Sequence, residues 1–215
     1  FKKCSMGAKD YLIPYKKMKT VCITGGIGSG KTKALSFFES KGIPCYNSDQ
    51  QAKLLINTNS IIKSKIKEYF GNEIYEFDKI DSKVLSRRVF NSTDDLNKLN
   101  SIVHPFVNKN FIKFKNENES PLIFKESAIL FESKANILCD YIVLITAPKI
   151  NRIERVVKRD LVDSEQVEVR ISRQWSDEKK SRLANKVIIN IDWDKTILDL
   201  EKLLIDLKNK FNITD

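Results

Sequence analysis

A glycine-rich segment near the start of the chain carries the residue types that bind phosphate groups. Gly25 to Thr32 reads GGIGSGKT, which satisfies the pattern G-x-x-x-x-G-K-[ST]. Backbone N–H groups and a helix N-terminus can wrap a phosphate there, Lys31 can neutralise the β- and γ-phosphates, and the Thr32 hydroxyl can bind Mg²⁺. The sequence therefore predicts Thr32 as a metal ligand and predicts a nucleotide-binding loop made of Gly26, Ile27, Gly28, Ser29, Gly30, Lys31 and Thr32.

Two other interpretations of this loop are less favoured. A tight turn without a ligand is possible, but the loop follows a predicted strand and opens a predicted helix, as phosphate binding requires. A dinucleotide loop holds pyrophosphate through its backbone, so Lys31 and Thr32 would have no use there. The motif alone still leaves open an ATPase, a GTPase, a motor, a regulator and a kinase.

A carboxylate after the second predicted strand could activate an acceptor. Asp49 lies at the carboxyl end of that strand, and in a parallel sheet this edge adjoins the glycine-rich loop. Such a carboxylate could orient or deprotonate a substrate hydroxyl, or hold a water molecule bound to Mg²⁺. The alternative is that Asp49 only caps the helix beginning near Gln50. Its position favours catalysis, and the two roles are compatible.

These residues need a scaffold, and the apolar pattern predicts one. Short apolar runs alternate with segments of helical spacing, which is typical of an α/β fold with a parallel sheet covered on both faces. The predicted strands are Thr20–Thr24, Ile43–Tyr46, Leu122–Lys125, Tyr141–Thr146 and Val187–Ile191. The first predicted helix of this scaffold is Lys31–Lys41, which Gly42 ends, and the last is Lys195–Phe211.

Two segments are too long or too basic to be simple connections. Residues from about 50 to 119 read as an inserted helical subdomain that covers the acceptor. Residues from about 150 to 182 read as a lid with recurring basic residues. We therefore expect one domain from residue 18 to 215, preceded by a leader of uncertain origin over residues 1–17.

Composition narrows the function classes further. The 215-residue chain is 41% hydrophobic and 31% charged, as in ordinary soluble proteins. Its net charge of +10 comes from lysines spread along the chain without a basic, aromatic stripe, so no nucleic acid partner is expected. No apolar stretch is long enough to span a membrane. The four cysteines are far apart in sequence and predict neither a zinc site nor a disulfide framework, which favours the cytoplasm.

An ordered series of motifs resembles the dephospho-coenzyme A kinase family from about Met18 to the C-terminus. The series is TGGIGSGKT from Thr24, FFESKGIPCYNSDQQAKLL from Phe37, VHP from Val103, KESAILFES from Lys125, RVVKRD from Arg155, RQWSDEKK from Arg173 and VIIN from Val187. The glycine-rich loop is common to many families, whereas the ordered series is specific.

The resemblance implies a fold, a reaction and a set of site residues. The fold is that of P-loop NTPases, and the reaction transfers phosphate from MgATP to the 3′-hydroxyl of dephospho-coenzyme A, the last step of coenzyme A synthesis. The residues that it implies are Asp49 as the catalytic carboxylate, Lys31, Arg155 and Arg159 as catalytic cations, His104, Pro105 and Glu126 on the acceptor side, and Asn190 near adenine.

Two positions depart from the family pattern. Asn47 replaces the usual first acidic residue after the second strand, which leaves Asp49 as the only carboxylate of that pair. Ile189 replaces an acidic residue that often precedes Asn190, and this makes the adenine assignment less secure. His104 is the only histidine in the chain, and a binding role is weighed evenly against a structural one.

Alternative functions stay open at this level. The same fold could phosphorylate a nucleoside or a nucleoside monophosphate, and a different class would be a nucleotide-binding regulator or a nucleic-acid-dependent ATPase. We expect ATP and dephospho-coenzyme A as the small-molecule partners. We also expect a monomer, with a weak homo-oligomer as the alternative.

Overall fold

The central element of the fold is a five-stranded parallel sheet. The computed structural model describes residues 18–214, so the predicted leader lies outside the described residues. The strands are β1 (Lys19–Thr24), β2 (Cys45–Asn47), β3 (Tyr75–Glu76), β4 (Lys79–Ile80), β5 (Leu122–Glu126), β6 (Tyr141–Thr146) and β7 (Lys186–Ile189). The order in the large sheet is β2-β5-β1-β6-β7, and all neighbouring pairs run parallel. The predicted α/β architecture is confirmed.

Helices cover both faces of this sheet. They are α1 (Lys31–Ser40), α2 (Ser48–Thr58), α3 (Ser60–Phe70), α4 (Ser82–Asn91), α5 (Thr93–Asn116), α6 (Lys149–Asp160), α7 (Ser164–Ser172), α8 (Asp177–Ser181) and α9 (Trp193–Lys210). Among residues 18–214, none of these helices combines the length and the apolar character needed to cross a bilayer.

The side chains of β1 show how the sheet is buried. Val21 and Ile23 pack in one core cluster with residues of α1 and α9, such as Phe38 and Leu203. Cys22 points to the other face and packs with Leu130. Because successive strand residues point to opposite faces, a continuous apolar run such as that of β1 needs cover on both sides.

The segment between β2 and β5 folds into helices α2 to α5 with its own apolar core. That core includes Ile62, Phe70 and Phe111 and reaches Tyr46 and Ile123 of the central sheet. The segment also contains the two-stranded ribbon of β3 and β4, which the helical pattern did not predict. Two residues per strand are too few to show an alternating pattern.

Strand boundaries differ from the prediction where local hydrogen bonds compete with the sheet. Strand β2 begins at Cys45 rather than Ile43, because the Ile43 N–H bonds to the Phe38 carbonyl at the end of α1. Strand β7 ends at Ile189 rather than Ile191. The prediction placed Asn190 inside the strand, and the structure places it in the turn that leads to α9.

The prediction of no disulfide is wrong for one pair. Cys22 and Cys139 form a disulfide, while Cys45 is free. The pair is 117 residues apart in sequence, and β1 lies beside β6, whose start at Tyr141 closely follows Cys139. Sequence spacing could not reveal this pairing because it depends on the order of strands in the sheet.

Candidate active site

The glycine-rich loop turns from β1 into α1 with its backbone closely surrounded. Gly28 and Gly30 have φ angles of 78° and 97°, a region that favours glycine. A side chain at Gly28 would collide with the carbonyl of Arg152, and one at Gly30 would collide with the amide of Asn190. The loop therefore needs these glycines both for its conformation and for the contacts behind it.

Asn190 supports this loop from behind. Its Nδ2 donates to the Ser29 carbonyl at 2.8 Å, and its Oδ1 accepts from the Thr196 hydroxyl at 3.2 Å. The side chain is buried, so both ends of the amide are committed to protein partners. The structure thus places Asn190 against the nucleotide loop, and its contact with adenine stays a prediction.

Lys31 and Glu126 form the charged centre of the site. The Lys31 Nζ lies 4.0 Å from the Glu126 Oε1 and donates to the Gly26 carbonyl at 3.3 Å. Burial lowers the pKa of Lys31, and the carboxylates of Glu126 and Asp49 oppose that shift. Burial raises the pKa of Glu126, and Lys31 opposes the change. Each charge therefore compensates the burial of the other.

Glu126 lies on the nucleotide side of the site, not in the cavity that contains the predicted acceptor residues. Its carboxylate accepts from the Thr32 hydroxyl at 3.2 Å and from the Asn47 Nδ2 at 2.7 Å. This follows from the strand order, because β5 is the direct neighbour of β1 and its carboxyl end meets the loop that leaves β1. The family resemblance pointed to the residue, but its neighbours could be read only from the sheet.

Asp49 is not the cap of α2. The cap is Asn47, whose side chain accepts from the Gln50 N–H at 2.9 Å. Within the part of the chain that the structure describes, no hydrogen bond engages the Asp49 carboxylate. Asp49 instead lines a cavity of about 530 Å³ together with Lys31, Thr32 and Glu126. The predicted neighbourhood of Asp49 and the glycine-rich loop is therefore present.

A second cavity of about 1150 Å³ lies beside the first one, between α4, α5 and the segment that follows α7. His104 and Pro105 both line it, as do polar side chains such as Asn108 and Glu132. Burial lowers the pKa of His104, with Asp49 opposing the shift, and its Nε2 is buried without a hydrogen-bond partner among residues 18–214. A neutral imidazole is what this environment favours.

The two predicted lid arginines, Arg155 and Arg159, have different positions and contacts. Arg159 lines the smaller cavity, where it is paired with Asp160 at 2.7 Å. Arg155 donates to the carbonyls of Asn190 and Ile191 at 2.9 Å and 3.2 Å, so it joins α6 to the turn after β7. The structure brings Arg159 to the site and does not bring the guanidinium of Arg155 to its cavity.

Sequence reasoning missed three residues in this region. Arg170 and Gln174 line the smaller cavity as well as the larger one. Arg152 is buried beneath the loop, donates from Nε to the Ile27 carbonyl at 2.9 Å and pairs with Asp177 at 2.8 Å. The available signal was the spacing of Arg152 from Arg155, because residues three apart share a helix face.

Comparison with known proteins agrees with the family resemblance seen in the sequence motifs. A family model described as dephospho-CoA kinase matches residues 19–194. The dephospho-CoA kinase of Bacteroides fragilis (strain YCH46) is 37% identical over 177 residues, covering 82% of this chain and 86% of that protein. The one from Salinibacter ruber (strain DSM 13855 / M31) is 36% identical over 194 residues, covering 88% and 96%.

Solved structures share the fold. The crystal structure of TT1252 from Thermus thermophilus superposes with a TM-score of 0.78 at 28% identity, covering 89% of this chain and 98% of that one. A shikimate kinase from Acinetobacter baumannii, at 16% identity and a TM-score of 0.51, covers 91% and 97% and supports the fold alone. By its family match, its relatives and the arrangement around its glycine-rich loop, the chain belongs to the dephospho-CoA kinase family of P-loop kinases.

Proposed function

We propose that this kinase transfers the γ-phosphoryl group of MgATP to the 3′-hydroxyl of dephospho-coenzyme A. The reaction is the ATP-dependent step that completes coenzyme A synthesis. The observation that carries the proposal is that Lys31, Thr32, Glu126 and Asp49 line one cavity. That cavity shares wall residues with a larger one fit for an acceptor.

The residues around Thr32 fit a magnesium ion. Mg²⁺ prefers oxygen ligands and usually keeps several water molecules while bridging substrate phosphates, so few protein ligands are needed. The Thr32 hydroxyl and the Glu126 carboxylate lie 3.2 Å apart at the head of α1. Thr32 would bind the ion, and Glu126 and Asp49 would hold its water molecules. When bound, the ion neutralises charge on the β- and γ-phosphates.

Asp49 is the group proposed to act on the acceptor. Its carboxylate faces the nucleotide cavity and is not used by the helix cap. Phosphoryl transfer of this kind depends mainly on positioning and electrostatics, with the attacking and leaving oxygens in line. Asp49 would orient the 3′-hydroxyl and accept its proton. Lys31 and Arg159 would offset charge on the moving phosphoryl group.

The larger cavity is proposed to hold dephospho-coenzyme A. Its volume of about 1150 Å³ suits a long acceptor, and its lining mixes apolar, amide and charged side chains. His104 and Pro105 lie on the wall formed by α5, next to the Asp49 side. We expect His104 to bind as a neutral imidazole and not to act as the base. We also expect a monomeric enzyme that acts without nucleic acid. We expect it in the cytoplasm because of the proposed reaction and not because of its cysteines, since Cys22 and Cys139 are paired.

An acceptor-dependence assay tests the function. ADP release would be measured by a coupled assay with dephospho-coenzyme A, adenosine, AMP or no acceptor, and product masses would be determined. We expect ADP only with dephospho-coenzyme A, with a product heavier by one phosphate. Preference for adenosine or AMP would assign a different kinase, and strong stimulation by DNA or RNA would replace the proposal with a nucleic-acid-dependent ATPase.

A further inference from the structure

Three consecutive residues after α7 join three separate parts of the molecule. Arg173 donates from Nη1 to the Val89 carbonyl of α4 at 2.9 Å. The Oε1 of Gln174 accepts from the Ile27 N–H of the nucleotide loop at 2.9 Å. The Trp175 N–H donates to the Glu132 Oε1 at 2.9 Å. This segment therefore connects the inserted helices, the nucleotide loop and the residues after β5.

Gln174 lies where the two cavities meet. Of the described residues, only Arg170 and Gln174 line both the cavity with Lys31 and the cavity with His104. The phosphoryl group must pass from the first cavity to the second during transfer. A side chain on the shared wall is thus close to the path of the reacting group.

The two ends of the Gln174 amide are not in the same situation. The oxygen accepts from the Ile27 N–H. Because a backbone N–H needs an acceptor, this contact also identifies the oxygen end and the nitrogen end of the amide. The nitrogen, with two N–H donors, makes no hydrogen bond within residues 18–214. Arg170, in contrast, is engaged with the Asp160 carboxylate at 2.9 Å. The amide nitrogen of Gln174 is therefore a donor on the shared wall that no described protein group engages.

We propose that Gln174 is a catalytic residue that donates a hydrogen bond from Nε2 to a non-bridging oxygen of the γ-phosphoryl group during transfer. Its Oε1 stays on Ile27, so the donor is held in place before the reaction. The bond from the γ-phosphorus to the bridging oxygen breaks, the bond to the acceptor oxygen forms, and the acceptor proton goes to Asp49. Gln174 neither gains nor loses a proton. This inference rests on the proposed function.

Two substitutions separate donation from anchoring. In Q174E, the introduced carboxylate can still accept from the Ile27 N–H but cannot donate, whereas Q174M loses both functions at nearly the same size. The matched controls are Q166E and Q166M, because Gln166 is exposed on the preceding helix α7. We expect kcat with dephospho-coenzyme A to fall by roughly 10²-fold in both Gln174 variants. The controls should keep wild-type values.

A pH profile provides a readout that a structural role would not move. A protonated carboxyl group can donate one hydrogen bond, so the kcat of Q174E relative to wild type should rise as pH falls from 8 to 6. The rise is at most about tenfold per pH unit, because the carboxyl group titrates well below this range. Binding of ATP to Q174M, measured by calorimetry without acceptor, should weaken by no more than about threefold.

The outcomes are distinct. Absence of the phosphorylated product with the wild-type chain rejects the proposed function, and it is measured before any variant is compared. With an active wild type, a Q174E variant that keeps wild-type kcat and a flat pH ratio overturns the catalytic role, whatever the stability of Q174M. A fall in Q174E that reverses with acid, without any change in Q166E, supports it.

Discussion

At the scale of single residues, the two carboxylates of the site, Glu126 and Asp49, differ in their hydrogen-bond partners. Glu126 is tied to Lys31, Thr32 and Asn47, whereas Asp49 has no hydrogen-bond partner within the described chain. The oxygens of Glu126 are already engaged by Thr32 and Asn47, even though burial raises the pKa of this carboxyl group. The uncommitted one, Asp49, is available to a substrate hydroxyl. Asn47 thus contributes a donor where an acid would add a third negative charge.

The first prediction concerns Asp49. D49N keeps the shape of the side chain but cannot accept a proton, so we expect kcat to fall by about 10²-fold to 10⁴-fold. Affinity for ATP, measured by calorimetry, should change by less than about threefold, because Lys31 and the loop backbone stay in place. D199N, an exposed aspartate on α9, is the control. Wild-type kcat in D49N would contradict the assignment.

The second prediction concerns Lys125, a buried cation beneath the larger cavity. Its side chain is 1% exposed, its Nζ lies 3.4 Å from the Asn108 Oδ1, and burial lowers its pKa from 10.5 to about 8. Below pH 8 the folded chain holds a charge that burial disfavours. Between pH 8 and 10.5 only the unfolded chain keeps that proton, so stability from this group rises with pH.

K125M should therefore be more stable than wild type at pH 7, by at most about 3 kcal/mol. At pH 9.5 the advantage should shrink to about 1 kcal/mol, because the lysine in the folded chain has already lost its proton. Urea unfolding at both pH values measures the difference. K109M, at an exposed lysine of α5, should show no such change between pH values. An equal stability difference at both pH values for K125M would show that the buried charge of Lys125 is not the cause.

At the scale of elements, a buried arginine of helix α6 is bonded to the nucleotide loop, and Ile27 of that loop also packs against apolar side chains of α6. Arg152 leaves the first turn of α6, reaches the Ile27 carbonyl and is held by Asp177 at the start of α8. Asp177 also accepts from Thr146 at the end of β6. A shift of α6 would therefore act directly on the loop that holds the phosphates.

The third prediction follows from that attachment. R152M should weaken ATP binding by roughly tenfold, because the Ile27 carbonyl loses its donor. It should also lower the free energy of unfolding by about 2 to 3 kcal/mol, because Asp177 is left half-buried without its counter-charge. The double variant R152M/D177N should recover part of that stability, as measured by a double-mutant cycle. Additive losses would show that the two side chains act independently.

A part of the fold could be predicted from the sequence where the residues that determine it are close together in the chain. Strand β6 is an apolar run of six residues, Tyr141–Thr146, and its bounds were predicted correctly. The glycine-rich loop was equally clear, because its function needs adjacent residues. Strands β3 and β4 are only two residues long and leave no periodic pattern.

The candidate site shows the same division between local and distant information. Asp49 could be located because it follows a strand. The contacts of Glu126, the anchor of Arg155 and the role of Arg152 each join residues tens of positions apart. These contacts depend on strand order and helix packing, which no short pattern in the chain encodes.

At the scale of the whole molecule, one covalent link spans more than half of the chain. Cys22 is fully buried in β1, and its partner Cys139 lies just before β6. A crosslink over a long loop restricts the unfolded chain far more than the folded one, and such links are typically worth about 2 to 4 kcal/mol. This link therefore stabilises the sheet that carries the site.

The fourth prediction tests the disulfide. A reducing agent should lower the urea midpoint of the wild-type protein by an amount that corresponds to about 2 to 4 kcal/mol. The C22A/C139A variant should unfold at the same urea concentration with and without the reducing agent. If the wild-type midpoint does not respond to reduction while the thiols are shown to be reduced, the stabilising role is refuted.

The disulfide also makes a ring of the chain between residues 22 and 139. The nucleotide loop, Asp49 and the helices α2 to α5 lie inside this ring, while Arg152 and Gln174 lie outside it. A protease that cuts once between these cysteines would open the ring without releasing a fragment. The nicked protein would run as one species on a non-reducing gel, and its two halves would separate only after reduction.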